Sequence, residues 1–281
     1  MAQPDFLIIG AMKCGTSTLQ AQLARQPGIF MTTPKEPNFF SDDEIYAQGM
    51  GWYGALFDDA APDDLTGEAS THYTKLPTHP ATLERLTELL EAPRLIYLVR
   101  NPVARAVSHY IHEWTMGNMS GDIDAAFDAH PELIDYGRYG YQLAPWAERF
   151  GAEAIMVSSL EAMTRDPQGV LDRAGAHIGH PGPLHWQEDQ ARVNVSAERI
   201  RRLPLHGLLV DNPVATWLRR SFVPQGLRDR IREGRQMTDR PTPSAALTAR
   251  LETVFAEDHA QLTALFPGNP DIELAYPFLK P

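Results

Sequence analysis

The sequence predicts an α/β protein: a parallel sheet with helices on both faces, in a single domain spanning 1–281. Three observations carry this. Residues 5–10 (DFLIIG) and 94–100 (RLIYLVR) are short, continuously apolar runs, the pattern of strands buried on both faces. Each run is followed by a turn and then by helical spacing. The same alternation repeats over 154–178, and strands alternating with helices imply parallel pairing through crossovers.

Taken in order, the first run leads through a glycine-containing loop into a helix over Thr16–Arg25, where Leu19 and Leu23 are four apart and Pro27 lies just beyond. Residues 34–53 begin as loop, punctuated by Pro34 and Pro37. A helix over 79–91 precedes the second strand. Asn101-Pro102 after that strand is a helix start, with asparagine as N-cap and proline at the first helical position. Val103, Val107, Tyr110, Ile111 and Trp114 then repeat at helical spacing, and Arg105, Ser108, His109 and His112 form the other stripe. A helix over 139–150, a strand over 154–158, a helix over 167–178 and a final helix over 245–266 complete the pattern. No repeat or linker divides the chain; from 181 onward it reads as a helical, arginine-rich C-terminal part.

Composition limits the function. A chain of 281 residues with 43% hydrophobic content can bury a sizeable core. Lys plus Arg number 25 against 36 acids, for a net charge of -11, which argues against nucleic-acid binding. No apolar run approaches the roughly 18 residues of a membrane helix, so no membrane insertion is expected. The run from Phe6 to Met12 has no basic stretch before it and no cleavage-like site after it, unlike a signal peptide. Cys14 is the only cysteine. It excludes an internal disulfide and leads to the expectation of a reducing, cytoplasmic location. Lysine is scarce: Lys13, Lys35, Lys75 and Lys280 are all there are. Residues 199–243, by contrast, carry ten arginines against Asp211, Asp229, Glu233 and Asp239; most of that cluster reads as solvated helix surface.

The chemistry begins at Gly10-Ala-Met-Lys13-Cys14-Gly15-Thr16-Ser17-Thr18, a P-loop-type element between strand and helix. Amides at a helix N-terminus form an anion site, and two glycines let a loop approach a phosphate closely. A tight turn with a hydroxyl cap is the plainer alternative. An ATP-binding loop reads G-x-x-x-x-G-K-[ST]; here Thr16 occupies the lysine position and the lysine has moved to Lys13. The second strand ends in Arg100, where a metal-binding Asp would often stand. A fork-shaped cation there suggests direct recognition of a second anionic group. The ligand is therefore expected to be a nucleotide with phosphates at two places and no metal.

Several segments together resemble the sulfotransferases that use 3′-phosphoadenylyl sulfate (PAPS), and within them the heparan-sulfate and bacterial carbohydrate branch. They are Lys13-Cys-Gly15-Thr16, Glu36-Pro-Asn-Phe39-Phe40, Trp52-Tyr53, Glu68-Ala-Ser70-Thr-His-Tyr73, and Arg100-Asn-Pro102 through Ser108. Gly137-Arg-Tyr139 with Leu143 and Trp146, and Leu160-Glu161 through Asp166-Pro167, extend the likeness over about 5–180. The resemblance implies that the amides from Lys13 through Cys14, Gly15, Thr16, Ser17 and Thr18, with the three hydroxyls, hold the 5′-phosphosulfate. It implies that Arg100 and Ser108 hold the 3′-phosphate and that 3′,5′-ADP (PAP) is released. Lys13 would stabilise the leaving phosphate, and Glu36 would act as general base on an acceptor hydroxyl. A surface glutamate between prolines is the bland reading of Glu36, and His72 and His109 are alternatives by chemistry. Lys35 either touches the sulfuryl group or is solvated.

The chain also departs from the family pattern. Ala69 stands where heparan-type members often have a lysine, leaving Lys13 or Lys35 to serve. The basic, glycine-rich loop near the 3′-phosphate is not evident beyond 180; Arg192 and Asn194, or an arginine of 199–243, are expected to replace it. Two rival readings stand beside the sulfotransferase: an ATP- and magnesium-dependent kinase-like phosphotransferase, and a non-catalytic nucleotide-binding protein of the same fold. The expected partner is a small-molecule or carbohydrate acceptor, and a homo-oligomer is compatible with the sequence.

Overall fold

The computed structural model describes residues 3–188 and 240–279. Five strands, β1 (Phe6–Gly10), β2 (Ile29–Met31), β3 (Leu65–Ala69), β4 (Arg94–Val99) and β5 (Ile155–Ser159), form one sheet in the order β2-β3-β1-β4-β5. Every pairing is parallel. β1 lies at the centre with all five residues buried, which accounts for its unbroken apolar run.

The helices are α1 (Thr16–Leu23), α2 (Asp43–Tyr46), α3 (Gly49–Ala55), α4 (Thr82–Leu89), α5 (Pro102–Met116), α6 (Ile123–Ala129), α7 (Glu132–Asp135), α8 (Tyr139–Phe150), α9 (Leu160–Arg165), α10 (Pro167–Ile178), α11 (Ala245–Leu265) and α12 (Pro270–Ala275). α1 and α10 pack together and against the strands. α8 and α11 pair with each other, and α12 lies on β5. α5 starts where the sequence places it: Asn101 Oδ1 accepts from the Ala104 N–H at 3.0 Å, with Pro102 first in the helix.

β2 and β3 escape the sequence reading. β2 has three residues, and β3 (LTGEA) interrupts any apolar run with Gly67 and Glu68. Gly67 is required there, since a Cβ would come within 2.2 Å of the Phe6 ring. The polar stripe on α5 proves to be interior: Arg105, Ser108 and His109 are all buried. The long helix α11 packs against both α5 and α8. Asp258 on α11 accepts from the Gly140 and Tyr141 amides at 2.8 and 2.9 Å and so fixes the start of α8.

Candidate functional site

Parallel strands direct their carboxyl ends to one edge of the sheet, and crevices at that edge are where such folds bind ligands. Three adjacent strands deliver the sequence-derived residues to it. β1 runs into the loop of Lys13, β4 into Arg100, and β3 into the turn on which Glu36 is docked. The Glu36 N–H donates to the Ala69 carbonyl at 3.0 Å, and the Asn38 N–H to Ser70 Oγ at 3.0 Å.

The two loop glycines serve different needs. Gly10 faces inward, where a Cβ would lie 2.2 Å from Thr74 Oγ1 and 2.5 Å from the Tyr97 ring. Gly15 has φ of 92°, and a Cβ there would also meet the Met163 side chain at 2.7 Å. As N-cap of α1, Gly15 offers no side-chain cap, and among the described residues the Thr16 and Ser17 amides that open α1 show no backbone acceptor. Within the loop, the Cys14 amide donates to the Ala11 carbonyl at 3.2 Å and the Thr18 amide to the Gly15 carbonyl at 3.0 Å. Those two N–H groups are turned into the loop itself.

Among the described residues, three non-glycines take left-handed φ: Lys13 at 70°, Glu36 at 61° and Asn38 at 55°. Such conformations persist only where surrounding structure imposes them, and they gather at functional sites. Arg100 Nη1 donates to the Lys13 carbonyl at 3.3 Å, tying the strand-end cation to the loop. Tyr139 locks the same junction, donating from its hydroxyl to the Arg100 carbonyl at 2.9 Å and lying 3.4 Å from Cys14 Sγ. Burial pushes the Cys14 thiol up to about 11, only partly opposed by the Tyr139 hydrogen bond. It is an inert filler rather than a nucleophile.

Glu36 is held by the 3₁₀ turn Thr71–Thr74 that follows β3. Its Oε2 accepts from the Thr71 N–H at 2.7 Å and from Thr71 Oγ1 at 3.1 Å, while Oε1 pairs with the Lys35 ammonium. Burial raises the affinity of this carboxyl for its proton, but the Lys35 charge and the Thr71 bonds outweigh it and hold the group below the usual carboxylate value. Lys35 is therefore paired to the carboxylate rather than merely solvated. Beneath Glu36, Phe39 stacks on Tyr53 at 4.6 Å, and the hydroxyls of Tyr53 and Tyr73 donate to Glu68 Oε2 at 2.7 and 3.1 Å. Burial raises the Glu68 carboxyl, partly offset by these bonds. The aromatic and acidic motif residues thus form a buried support for the turn carrying Glu36.

The histidine alternatives are less well placed. Burial pulls both His72 and His109 down to about 4. The His109 side chain is 3% exposed and its ring stacks on Tyr136 at 5.5 Å; His72 stacks on His79 at 4.9 Å.

A cavity of about 660 Å³ opens beside Arg100. It is lined by Val103, Ala104 and Val107 of α5 and by Arg240 to Pro243 and Phe278. Ser108 is the next residue along α5 and is buried. Arg192 and Asn194, and the arginines from 199 to 235, lie outside the described residues. Arg240, the last arginine of the 199–243 cluster, lines this cavity together with Arg100 and Glu252. Sequence reasoning also passed over Lys75, buried just after the 3₁₀ turn; the scarcity of lysine was the signal available for it.

A parallel sheet with a glycine-bounded, uncapped loop-to-helix junction and a strand-end arginine beside it is the architecture of an α/β protein of the P-loop kind. The sulfotransferase domain family matches residues 3–198, and the chain belongs to that family. It is similar to mouse heparan sulfate glucosamine 3-O-sulfotransferase 3B1, at 31% identity over 189 residues, covering 63% of this chain and 46% of that protein. It is also similar to the membrane-associated sulfotransferase kil1 of Dictyostelium discoideum, at 34% identity over 130 residues, covering 44% of this chain and 26% of that protein. The chain thus spans less than half the length of these relatives. Among solved structures, a sulfotransferase from Alicyclobacillus acidocaldarius shares the fold, with a TM-score of 0.64 at 23% identity over 94% of this chain and 96% of that one.

These relatives correct the cytoplasmic expectation. One is named for its membrane association and the other for heparan sulfate. A single cysteine excludes an internal disulfide but does not fix a compartment. No described helix is long and apolar enough to cross a membrane.

Proposed function

We propose that residues 1–281 act as one sulfotransferase domain that moves the sulfuryl group of PAPS to an acceptor hydroxyl and releases 3′,5′-ADP. The observation that carries this reading is the meeting of the Lys13 loop, Glu36 and Arg100 at the carboxyl ends of β1, β3 and β4. Sulfotransferase-family membership supports the donor and weighs against the kinase-like rival.

In this reading the open amides at the start of α1 and the hydroxyls of Thr16, Ser17 and Thr18 hold the 5′-phosphosulfate. Arg100 takes the 3′-phosphate, with Ser108, with Arg240 of the same cavity, and with Arg192. Lys13 meets the charge that develops on the bridging oxygen as its bond to sulfur breaks. Glu36 removes the acceptor proton as the new O–S bond forms, so its ionised state at neutral pH suits a base. A carbohydrate hydroxyl is the first acceptor to test, because the relatives named for an acceptor act on heparan sulfate glucosamine.

Transfer of ³⁵S from labelled PAPS to heparan sulfate and to a panel of small hydroxyl acceptors tests the reading. Glu36→Gln should lower turnover about 100-fold or more, the range for loss of a general base, while 3′,5′-ADP binding stays unchanged. Turnover within a few-fold of wild type would remove Glu36 as the base. No transfer to any acceptor despite 3′,5′-ADP binding would favour the non-catalytic rival.

A further inference from the structure

Lys75 is buried, at 8% exposure. Its backbone is pinned from both sides: its N–H donates to the His72 carbonyl at 3.2 Å, and its carbonyl accepts from His79 N–H at 3.0 Å. Gln142 on α8 exchanges two hydrogen bonds, at 2.8 and 2.9 Å, with the backbone of the next residue, Leu76. The ammonium lies over the Tyr136 ring, 5.5 Å from its centroid. No carboxylate among the described residues closes on it within ion-pair distance. A buried charge without a direct ion pair is costly, so a purely structural reason for a lysine here is weak.

Its surroundings supply a functional one. Lys75 directly follows the 3₁₀ turn whose first residue, Thr71, clamps Glu36. The charges acting on its ammonium are Glu36 and Lys35 on the docked segment, and Glu113 and Arg105 on α5, with Glu36 the foremost. His72 and His79 on its own loop, and His109 on α5, feel the Lys75 charge and are neutral at pH 7 for the most part, since burial lowers all three.

A carboxylate base faces a difficulty in this reaction, because the sulfuryl donor is itself an anion and must sit beside it. Like charges a few ångströms apart in a partly dry site repel strongly. Lys35 already pairs with one Glu36 oxygen at the partly exposed side. We propose that Lys75 is a positioning residue for the transfer site, its buried ammonium offsetting the Glu36 charge from the interior so that the anionic donor is admitted beside the base. This rests on the reading of Glu36 and the donor loop given above. Burial draws the Lys75 amine down to about 8, with Glu36 pulling the other way. The offset is therefore largely present at neutral pH and fades as pH rises through that value.

With four lysines in the chain, labelling lysine at Cε gives a spectrum that single substitutions assign. The Lys75 signal should titrate near pH 8 and move to lower pH in Glu36→Gln, which removes the charge that favours its ammonium. Calorimetry with PAPS and 3′,5′-ADP at pH 7 supplies the second readout. Lys75→Met should weaken PAPS about tenfold more than 3′,5′-ADP, and Lys75→Arg should restore the wild-type ratio. Titration at the ordinary lysine value and unmoved by Glu36→Gln would overturn the proposal, as would a Lys75→Met protein with an unchanged ratio. If neither nucleotide binds the wild-type chain, the donor reading fails, while the Cε titration still decides whether Lys75 and Glu36 are coupled.

Discussion

Gly10→Ala separates two reasons for a glycine at the start of the loop. If Gly10 served only to let a phosphate approach, alanine would weaken nucleotide binding and leave stability alone. The structure predicts a loss of stability instead, since the added methyl would sit 2.2 Å from Thr74 Oγ1 and 2.5 Å from the Tyr97 ring. Relief requires Thr74 to rotate away from the Ile9 carbonyl, to which it donates at 2.7 Å. Losing that buried bond costs about 1–3 kcal/mol. Displacing the fully buried Tyr97 adds about 1–3 kcal/mol of overpacking. The sum, about 2–6 kcal/mol, is readable as a lowered urea midpoint at constant slope. Thr74→Ala removes one of the two obstacles, so the double variant should be less destabilised than the two single effects added together. A Gly10→Ala protein within 0.5 kcal/mol of wild type (roughly the reach of an ordinary surface change) would refute the reasoning.

Two further outcomes follow from the titrating groups. Cys14, buried and raised to about 11, should resist a thiol-specific reagent at pH 8 in the folded protein and react in urea; fast reaction of the native chain would contradict its burial. Glu36 is held below its ordinary value of 4.5, so its stabilising contribution is present above pH 4.5 and is lost as pH falls through the lower folded value. Thr71→Val removes the hydroxyl bonds and keeps the backbone one. It should cost about 1 kcal/mol at pH 7 and progressively less below pH 4.5, and a cost independent of pH would sink the assignment.

Much of the site was legible because its residues lie next to strong local signals. The loop follows a fully apolar strand, and Arg100 ends another, with Asn101-Pro102 marking the next helix. The third supporting strand was hidden, because β3 buries Glu68 and needs Gly67 against the Phe6 ring. No apolar run can announce such a strand. Glu36 could be singled out only through resemblance, since its placement depends on a left-handed turn docked on that unseen strand. Lys75 follows the turn that holds Glu36 and is buried against Tyr136, while Arg240 reaches the cavity beside Arg100 through tertiary packing, and no local pattern marks either. The polar stripe of α5 shows the limit of spacing: it separates two faces of the helix but does not say that Arg105, Ser108 and His109 are buried as well.

Calorimetric titration of the chain with 3′,5′-ADP, with and without magnesium and repeated on Arg100→Ala, tests the account most directly. The account predicts binding independent of the metal and weakened about 10- to 100-fold by Arg100→Ala, the loss expected for charge-assisted hydrogen bonds worth about 1.5–3 kcal/mol. Binding that requires magnesium and prefers ATP, or that is indifferent to Arg100, would contradict it.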